Sequence, residues 1–388
     1  MADPGGPVAV EPDLDEQLSH LLVFLQQDLK PADRATILAD YGRRLNRLGR
    51  FAQGRTALEE AAELAPDNPD VMRSLGLAIF GEGKWADGLA IYDRVRWQLD
   101  RFTKYRRGFP QPAWQGEPLD GKRLLLWTEQ GVGDQAMQAR VLGPLLEHGA
   151  EITIESDPRM HPLIQRTWPE VRCETQTVDL PKALVEEDFD YQNSMLTAWR
   201  WAELPQPQPA YLVPNPTMVT AFRDVWAQQG WTRNIGLSWR SGSGETGARR
   251  SLPEELLRPI LQCKGATFHS LQYNSDAEEV AALSRRLGRP IYSDRDGDPM
   301  KDLDRQAAQI AALDLVISID NTTVHMAGAV GTECWAILPV GSDWRWGEGG
   351  PETPLYESVR LLRNTQIGHW SGVVVDVVNA LQESQAKS

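Results

Sequence analysis

The sequence predicts an α/β protein built from two tandem Rossmann-like lobes behind an all-α repeat module. Three observations predict it. The N-terminal third is self-similar at a shift of 34 residues. Two separate strand–turn–helix series follow, one opening at 124 and one at 235. A proline-rich stretch at 204–216 (LPQPQPAYLVPNP) stands between them.

In the repeat, Gly42 aligns with Gly76, Gly49 with Gly83, Phe51 with Trp85, Gly54 with Gly88 and Leu58 with Tyr92. The period is that of tetratricopeptide (TPR) helical hairpins. Small residues let paired helices approach closely, an aromatic residue fills the gap after each glycine turn, and Pro66 ends one repeat before the next begins. The expected organisation is a disordered Gly/Pro/Ala-rich segment at 1–12, a TPR-like module at 13–105, a first lobe at 106–225 and a second at 226–388.

In the first lobe, LLLW at 124–127 reads as a strand, followed by Glu129-Gln130-Gly131-Val132-Gly133-Asp134 and an amphipathic helix, then the strand EITIES. Glycines in such a turn allow a ligand to approach backbone amides. Asp134, in the first helical turn, is a candidate general base, with Gln130, Gly131 and Gly133 beside it on the acceptor side. The same turn also fits G-x-G-x-x-A, with Glu155 about 20 residues further on, the weak outline of a dinucleotide-binding fingerprint.

In the second lobe, the apolar strand LVISI leads into Asp320-Asn321-Thr322-Thr323-Val324-His325 and the small-residue helix MAGAVG. Amides at that helix start, with threonine hydroxyls, make a pyrophosphate cradle, to which His325 adds a donor. Trp239-Arg240-Ser241-Gly242-Ser243, with Arg249 and Arg250 beyond, clusters cations after a strand in an acidic chain and reads as a flexible anion-binding loop. Trp344 and Trp346, in PVGSDWRW, are candidates to stack on a base or sugar or to seal an interface between lobes.

The 388 residues carry a net charge of −14, so nucleic acid and anionic lipid are poor partners. Three scattered cysteines, Cys173, Cys263 and Cys334, form no CxxC pair and suggest a reducing cytoplasm rather than zinc or disulfides. No run reaches the ~20 apolar residues of a membrane span, and no signal peptide is visible. The D-x-D triplets (Asp188/Asp190, Asp294/Asp296, Asp296/Asp298, Asp302/Asp304) lack convincing flanks, so no metal and no cofactor are expected.

PAWQGEPLDGKRLLLWTEQGVGD resembles the segment that opens the catalytic part of bacterial TPR-containing glycosyltransferases, which are similar to ADP-heptose:lipopolysaccharide heptosyltransferases and, more distantly, to TPR-fused protein O-GlcNAc transferases. IGLSWRSGS, RRSLP, FHSLQ, IAALDLVISIDNTTVHMAGAVG, LPVGSDWRW and GHWSGVV follow in the same order. The resemblance implies a GT-B fold and metal-independent transfer of a sugar from a nucleotide-sugar donor to an acceptor hydroxyl on a protein or glycan, with a protein acceptor recruited by the helices. It implies Asp134 as the base and the Asn321–His325 turn as the holder of the donor diphosphate; together with the residue readings above, the expected donor site draws on Trp239, Arg240, Ser241, Gln272, Asp320, Asn321, Thr322, Thr323, His325 and Trp344. The lysine that heptosyltransferases place near the donor phosphates has no match here, and Arg240 is the candidate substitute. A non-catalytic adaptor with a degenerate transferase fold and, less favoured, a nicotinamide oxidoreductase are the alternatives.

Overall fold

The computed structural model describes residues 14–386 except 104 and 243. The segment read as disordered, 1–12, lies outside the described residues. The chain forms two compact units. One comprises 1–103 with 340–349 and 366–368; the other holds the remaining residues.

The first unit is helical: α1 (Leu14–Leu25), α2 (Pro31–Arg47), α3 (Phe51–Leu64), α4 (Pro69–Gly81) and α5 (Trp85–Val95). The 34-residue repeat has a direct structural counterpart. A Cβ on Gly42 would lie 2.6 Å from Leu58 Cγ and 3.0 Å from the Gly54 carbonyl, while one on Gly76 would lie 3.1 Å from Tyr92 Cβ and 3.0 Å from the Gly88 carbonyl. The aligned glycines are thus the crossing points of α2 with α3 and of α4 with α5. Phe51 and Trp85, 2% and 4% exposed, are the aligned aromatic residues that open α3 and α5. Asn68 caps α4 through the amides of Asp70 and Val71.

The second unit contains two fully parallel sheets. The first lobe carries β1 (Arg123–Trp127), β2 (Glu151–Ser156), β3 (Arg172–Thr175) and β4 (Tyr191–Ser194) in the order β3-β2-β1-β4. The second carries β5 (Asn234–Ser238), β6 (Thr267–Ser270), β7 (Ile291–Tyr292), β8 (Leu315–Ile319), β9 (Cys334–Leu338) and β10 (Val359–Arg363) in the order β10-β9-β8-β5-β6-β7. The central strands β1, β8 and β9 are near-continuous apolar runs, and β5 (NIGLS) is buried along its whole length, as in strands covered on both faces. Each order reverses direction once, between β1 and β4 and between β5 and β8. Open α/β sheets bind ligands outside the carboxyl ends of strands at such a reversal.

Two segments differ from the sequence reading, the helix at 216–228 and the loop after β5. Helix Pro216–Gln228, whose first ten residues fall in the range assigned to the first lobe, packs on the second: Arg223 Nη2 donates to Ala311 O at 2.9 Å, and the Arg305 guanidinium lies over Phe222. The proline-rich stretch read as a connection between lobes is tied down, since the Tyr211 and Leu212 amides both donate to Ala329 O at 2.9 Å. The loop after β5, expected to be flexible, contains a helix over Gly244–Arg250. Among the described residues no helix is long and apolar enough to cross a membrane.

Two stability predictions follow from packing. Gly42→Ala gains about 1 kcal/mol in helix propensity but drives a methyl into Leu58 and the Gly54 carbonyl, an overpacking cost of about 1–3 kcal/mol. It is expected to lower stability on thermal unfolding, whereas Gly372→Ala, with nothing within 4 Å of its Cβ, is expected to be neutral or stabilising. His269, 3% exposed, has Nε2 2.9 Å from Asn234 Oδ1 and its ring 4.4 Å from Trp226. Burial lowers its pKa from 6.5 to about 4, so between those values the unfolded chain binds the extra proton. Stability is therefore expected to fall by about 3 kcal/mol as pH drops through that window. In denaturant titrations at several pH values, His269→Asn should flatten that slope.

Candidate functional site

The site forms where the two sheets' reversal points meet. From β1 the chain runs through Thr128–Gly131 into helix Val132–Gln138; from β8 it runs through Asp320 and Asn321 into helix Thr322–Val330. A Cβ on Gly133 would lie 3.0 Å from Thr322 Oγ1, 3.1 Å from Thr322 Cα and 3.4 Å from His325 Cδ2. The Gly131–Asp134 turn and the Asn321–His325 turn are therefore in direct contact, with Asp134 half-buried next to that contact.

The glycines act differently from expectation. The left-handed residue of the turn is Gln130 (φ 67°), not a glycine. Gly131 has φ −84° and open space where a side chain would be. Gly133 is the position where size matters. A non-glycine residue at positive φ in a crevice stores local strain of about 1–3 kcal/mol, a feature that clusters at functional sites.

The phosphate cradle is smaller than its sequence suggests. Asn321 Oδ1 accepts from the Thr323 amide at 2.9 Å, and its Nδ2 donates to Ser238 Oγ at 2.8 Å, tying β8 to β5 across the reversal point. The Val324 amide donates to Asn321 O at 3.2 Å. Asn321 is thus a cap and a strand tie, and of the amides at 322–324 only that of Thr322 remains for a ligand. Thr323 is wholly buried. Asp320, 3% exposed, pairs with Arg250 at 3.3 Å, so a cation from the loop after β5 does reach the second turn.

Gln272 is also committed to the fold. Its Oε1 accepts from the amides of Trp239 and Arg240 at 3.0 and 2.8 Å, and its Nε2 donates to the carbonyls of Arg240 and Tyr273, each at 2.9 Å. It shapes the turn after β5 rather than offering a polar end to a donor. Trp239, 3% exposed, is core. The Ser241 amide donates to Ser251 Oγ at 3.0 Å. Arg240 is exposed, with Nη2 donating to Asn274 O at 2.9 Å; Ser243 lies outside the described residues. Trp344 is corrected: at 8% exposure it stacks on Phe80 of α4, ring centroids 4.8 Å apart, inside the helical unit. Arg345 covers it as well, so it has no open face for a base or sugar.

The dinucleotide outline loses its acidic partner. Glu155, wholly buried at the end of β2, is gripped by Arg107, whose Nε donates to Oε2 at 2.8 Å while Nη2 donates to Oε1. Burial raises its pKa against the pull of Arg107. The D-x-D aspartates also have partners: Asp294 with Arg305 (2.6 Å), Asp304 with Arg166 (2.7 Å), Asp298 with Lys301 (3.1 Å) and Asp190 with Lys122 (2.9 Å).

Sequence reasoning missed Tyr356, Tyr211 and Arg140. His325, 5% exposed, has Nδ1 2.9 Å from the Tyr356 hydroxyl. Arg140, 1% exposed, donates to Pro205 O and, at 3.0 Å, to Gln208 Oε1, and its pKa is lowered by burial. It borders a cavity of about 380 Å³ with His148, Trp168 and Tyr211. No motif marks these residues; only a shared surface between helices distant in sequence brings them together.

No protein-family model matches the chain. Protein FlbA of Caulobacter vibrioides is 31% identical over 350 residues, covering 84% of this chain and 58% of that protein, so the chain spans little more than half the relative's length. Among solved structures, the chain is similar to a glycosyl transferase family 9 protein from Veillonella parvula (12% identity, 70% of this chain and 99% of that one, TM-score 0.48). It is also similar to ADP-heptose lps heptosyltransferase II of E. coli (16%, 68% and 99%, 0.46) and to an O-GlcNAc transferase mutant of Thermobaculum terrenum (14%, 97% and 89%, 0.34).

The Gly133 contact predicts an asymmetry between neighbours. Gly133→Ala is expected to cost about 1–3 kcal/mol by overpacking, while Gly131→Ala is expected to change stability by less than about 0.5 kcal/mol. Urea denaturation of both variants measures the difference.

Proposed function

We propose that this chain is a glycosyltransferase that moves a sugar from a nucleotide-sugar donor to an acceptor hydroxyl without a metal. The observation that supports this reading is the contact of Gly133 with Thr322 and His325, which brings the turn bearing the candidate base against the candidate phosphate turn. The donor diphosphate lies on the second lobe, against the Thr322 amide, the start of helix Thr322–Val330, His325 and the loop bearing Arg240 and Arg250. There the departing charge meets preorganised donors. The acceptor hydroxyl enters from the first lobe and gives its proton to Asp134. The helical unit, with its repeated hairpins, recruits the acceptor, a protein or glycan. We place the reaction in the cytoplasm, with no nucleic acid partner.

One observation favours a second reading, an adaptor with a degenerate transferase fold: the amides of Thr323 and Val324 are already satisfied within the protein. Calorimetry against a panel of nucleotide sugars separates the two, since an adaptor binds none. For the donor that binds, Asp134→Ala is expected to lower transfer by about 10²–10⁴-fold while leaving donor affinity intact. Undiminished turnover would remove Asp134 from the mechanism.

A further inference from the structure

At the foot of the second sheet, Thr232, Arg233, Lys264, Gly265, Asp314 and Gln385 line a cavity of about 560 Å³. Small-molecule sites span about 300–1,000 Å³. Thr232 and Arg233 lead into β5, Lys264 and Gly265 into β6, and Asp314 into β8. The cavity therefore lies at the amino ends of strands whose carboxyl ends carry the Arg240 loop and the Asn321 turn. Backbone bonds set these segments side by side: the Thr267 amide donates to Arg233 O at 2.8 Å, and the Asp314 amide to Asn234 O at 3.0 Å.

The lining runs against the charge of the chain. The whole sequence carries −14, yet here two cations meet one acid. Arg233 is half-buried, with Nη2 donating to Ser384 Oγ at 2.7 Å on helix Ser371–Ala386. Its Nη1 is shielded from water and has no acceptor among the described residues. A guanidinium N–H in that state is unfavourable, and an anion entering the cavity supplies what it lacks. Lys264 adds a second, exposed positive charge. Gly265, at φ 70°, leaves its backbone open: the one atom within 4 Å of a Cβ there is Gln385 Nε2, at 4.0 Å. Asp314 Oδ2 accepts from the Asn234 amide at 2.7 Å, which leaves Oδ1 to accept from a hydroxyl.

We infer that this cavity binds a phosphate monoester that carries a hydroxyl. The phosphate sits with Arg233 and Lys264, and the hydroxyl donates to Asp314. The carboxylate repels a bare phosphate and accepts from a neighbouring hydroxyl, so the ester is the better fit. The site is separate from the proposed donor site and independent of the transferase reading.

The test titrates glycerol 3-phosphate and inorganic phosphate into the full chain at constant ionic strength and follows the Gly265 amide in ¹H–¹⁵N spectra. Saturable movement is expected with both, at lower concentration for glycerol 3-phosphate. Arg233→Gln and Lys264→Gln are each expected to weaken binding by about tenfold, the size of one charged hydrogen bond. Asp314→Asn keeps an oxygen for the Asn234 amide but puts NH₂ in place of the other, and is expected to remove the preference for the ester. Arg240→Gln is expected to leave the titration unchanged. No saturable movement in the wild type overturns the inference, as does unchanged affinity in both Arg233→Gln and Lys264→Gln. Equal affinity for the two probes overturns the ester. Loss of the titration in Arg240→Gln overturns the site, since the phosphate then sits on the loop after β5. If Arg233→Gln does not fold, Lys264→Gln, at an exposed position, decides the question. None of these outcomes depends on turnover, so failure of the transferase reading is separately visible.

Discussion

The absence of one side chain, at Gly133, is the constraint on which the site depends. The start of helix Val132–Gln138 rests on Thr322 and His325 because nothing larger than hydrogen stands there. That contact brings the turns at the two sheets' reversal points together. Several bonds hold the lobes in this register. Arg166 grips Asp304 with two bonds of 2.7 Å, Arg159 Nη1 donates to Met300 O at 3.1 Å, and the connector amides of Tyr211 and Leu212 bind Ala329 O. The bidentate pair is largely shielded, which puts it above the usual worth of a surface ion pair.

Much of this was legible in the sequence, and the residues say why. The strands at β1, β8 and β9 announce themselves as apolar runs cut by turn residues, and the aligned glycines of the helical unit occupy equivalent crossing points because a 34-residue period is a backbone property. What could not be read is how polar side chains spend their lone pairs. Asn321 and Gln272 sit at strand ends with the chemistry of ligand-binding groups, yet both are consumed by neighbouring backbone. A cap and a ligand contact use the same atoms, and sequence does not say which partner arrives first. The same limit hid Arg107 on Glu155, 48 residues away, and Tyr356 on His325, 31 residues away. Trp344 followed a strand end in the manner of a site loop, but its segment leaves β9 for the helical unit.

These partners also redistribute the electrostatics of the crevice. A helix start contributes about 0.3–1 kcal/mol toward an anion at an exposed position, and up to about 2 kcal/mol when partly buried. A hydrogen bond from a charged donor contributes about 1.5–3 kcal/mol. With two of three amides already capped, the dipole of helix Thr322–Val330 alone is the smaller effect, and cations must do more of the work. Arg250 shares its charge with Asp320. Arg240 is bonded through Nη2 to a carbonyl, which leaves its full charge uncancelled. Under the proposed transferase reading, the counter-charge for a doubly charged leaving group comes from the loop after β5 more than from the helix after β8. The Gln272 bracket behind that loop fixes the backbone from which Arg240 departs, accepting from the Trp239 and Arg240 amides.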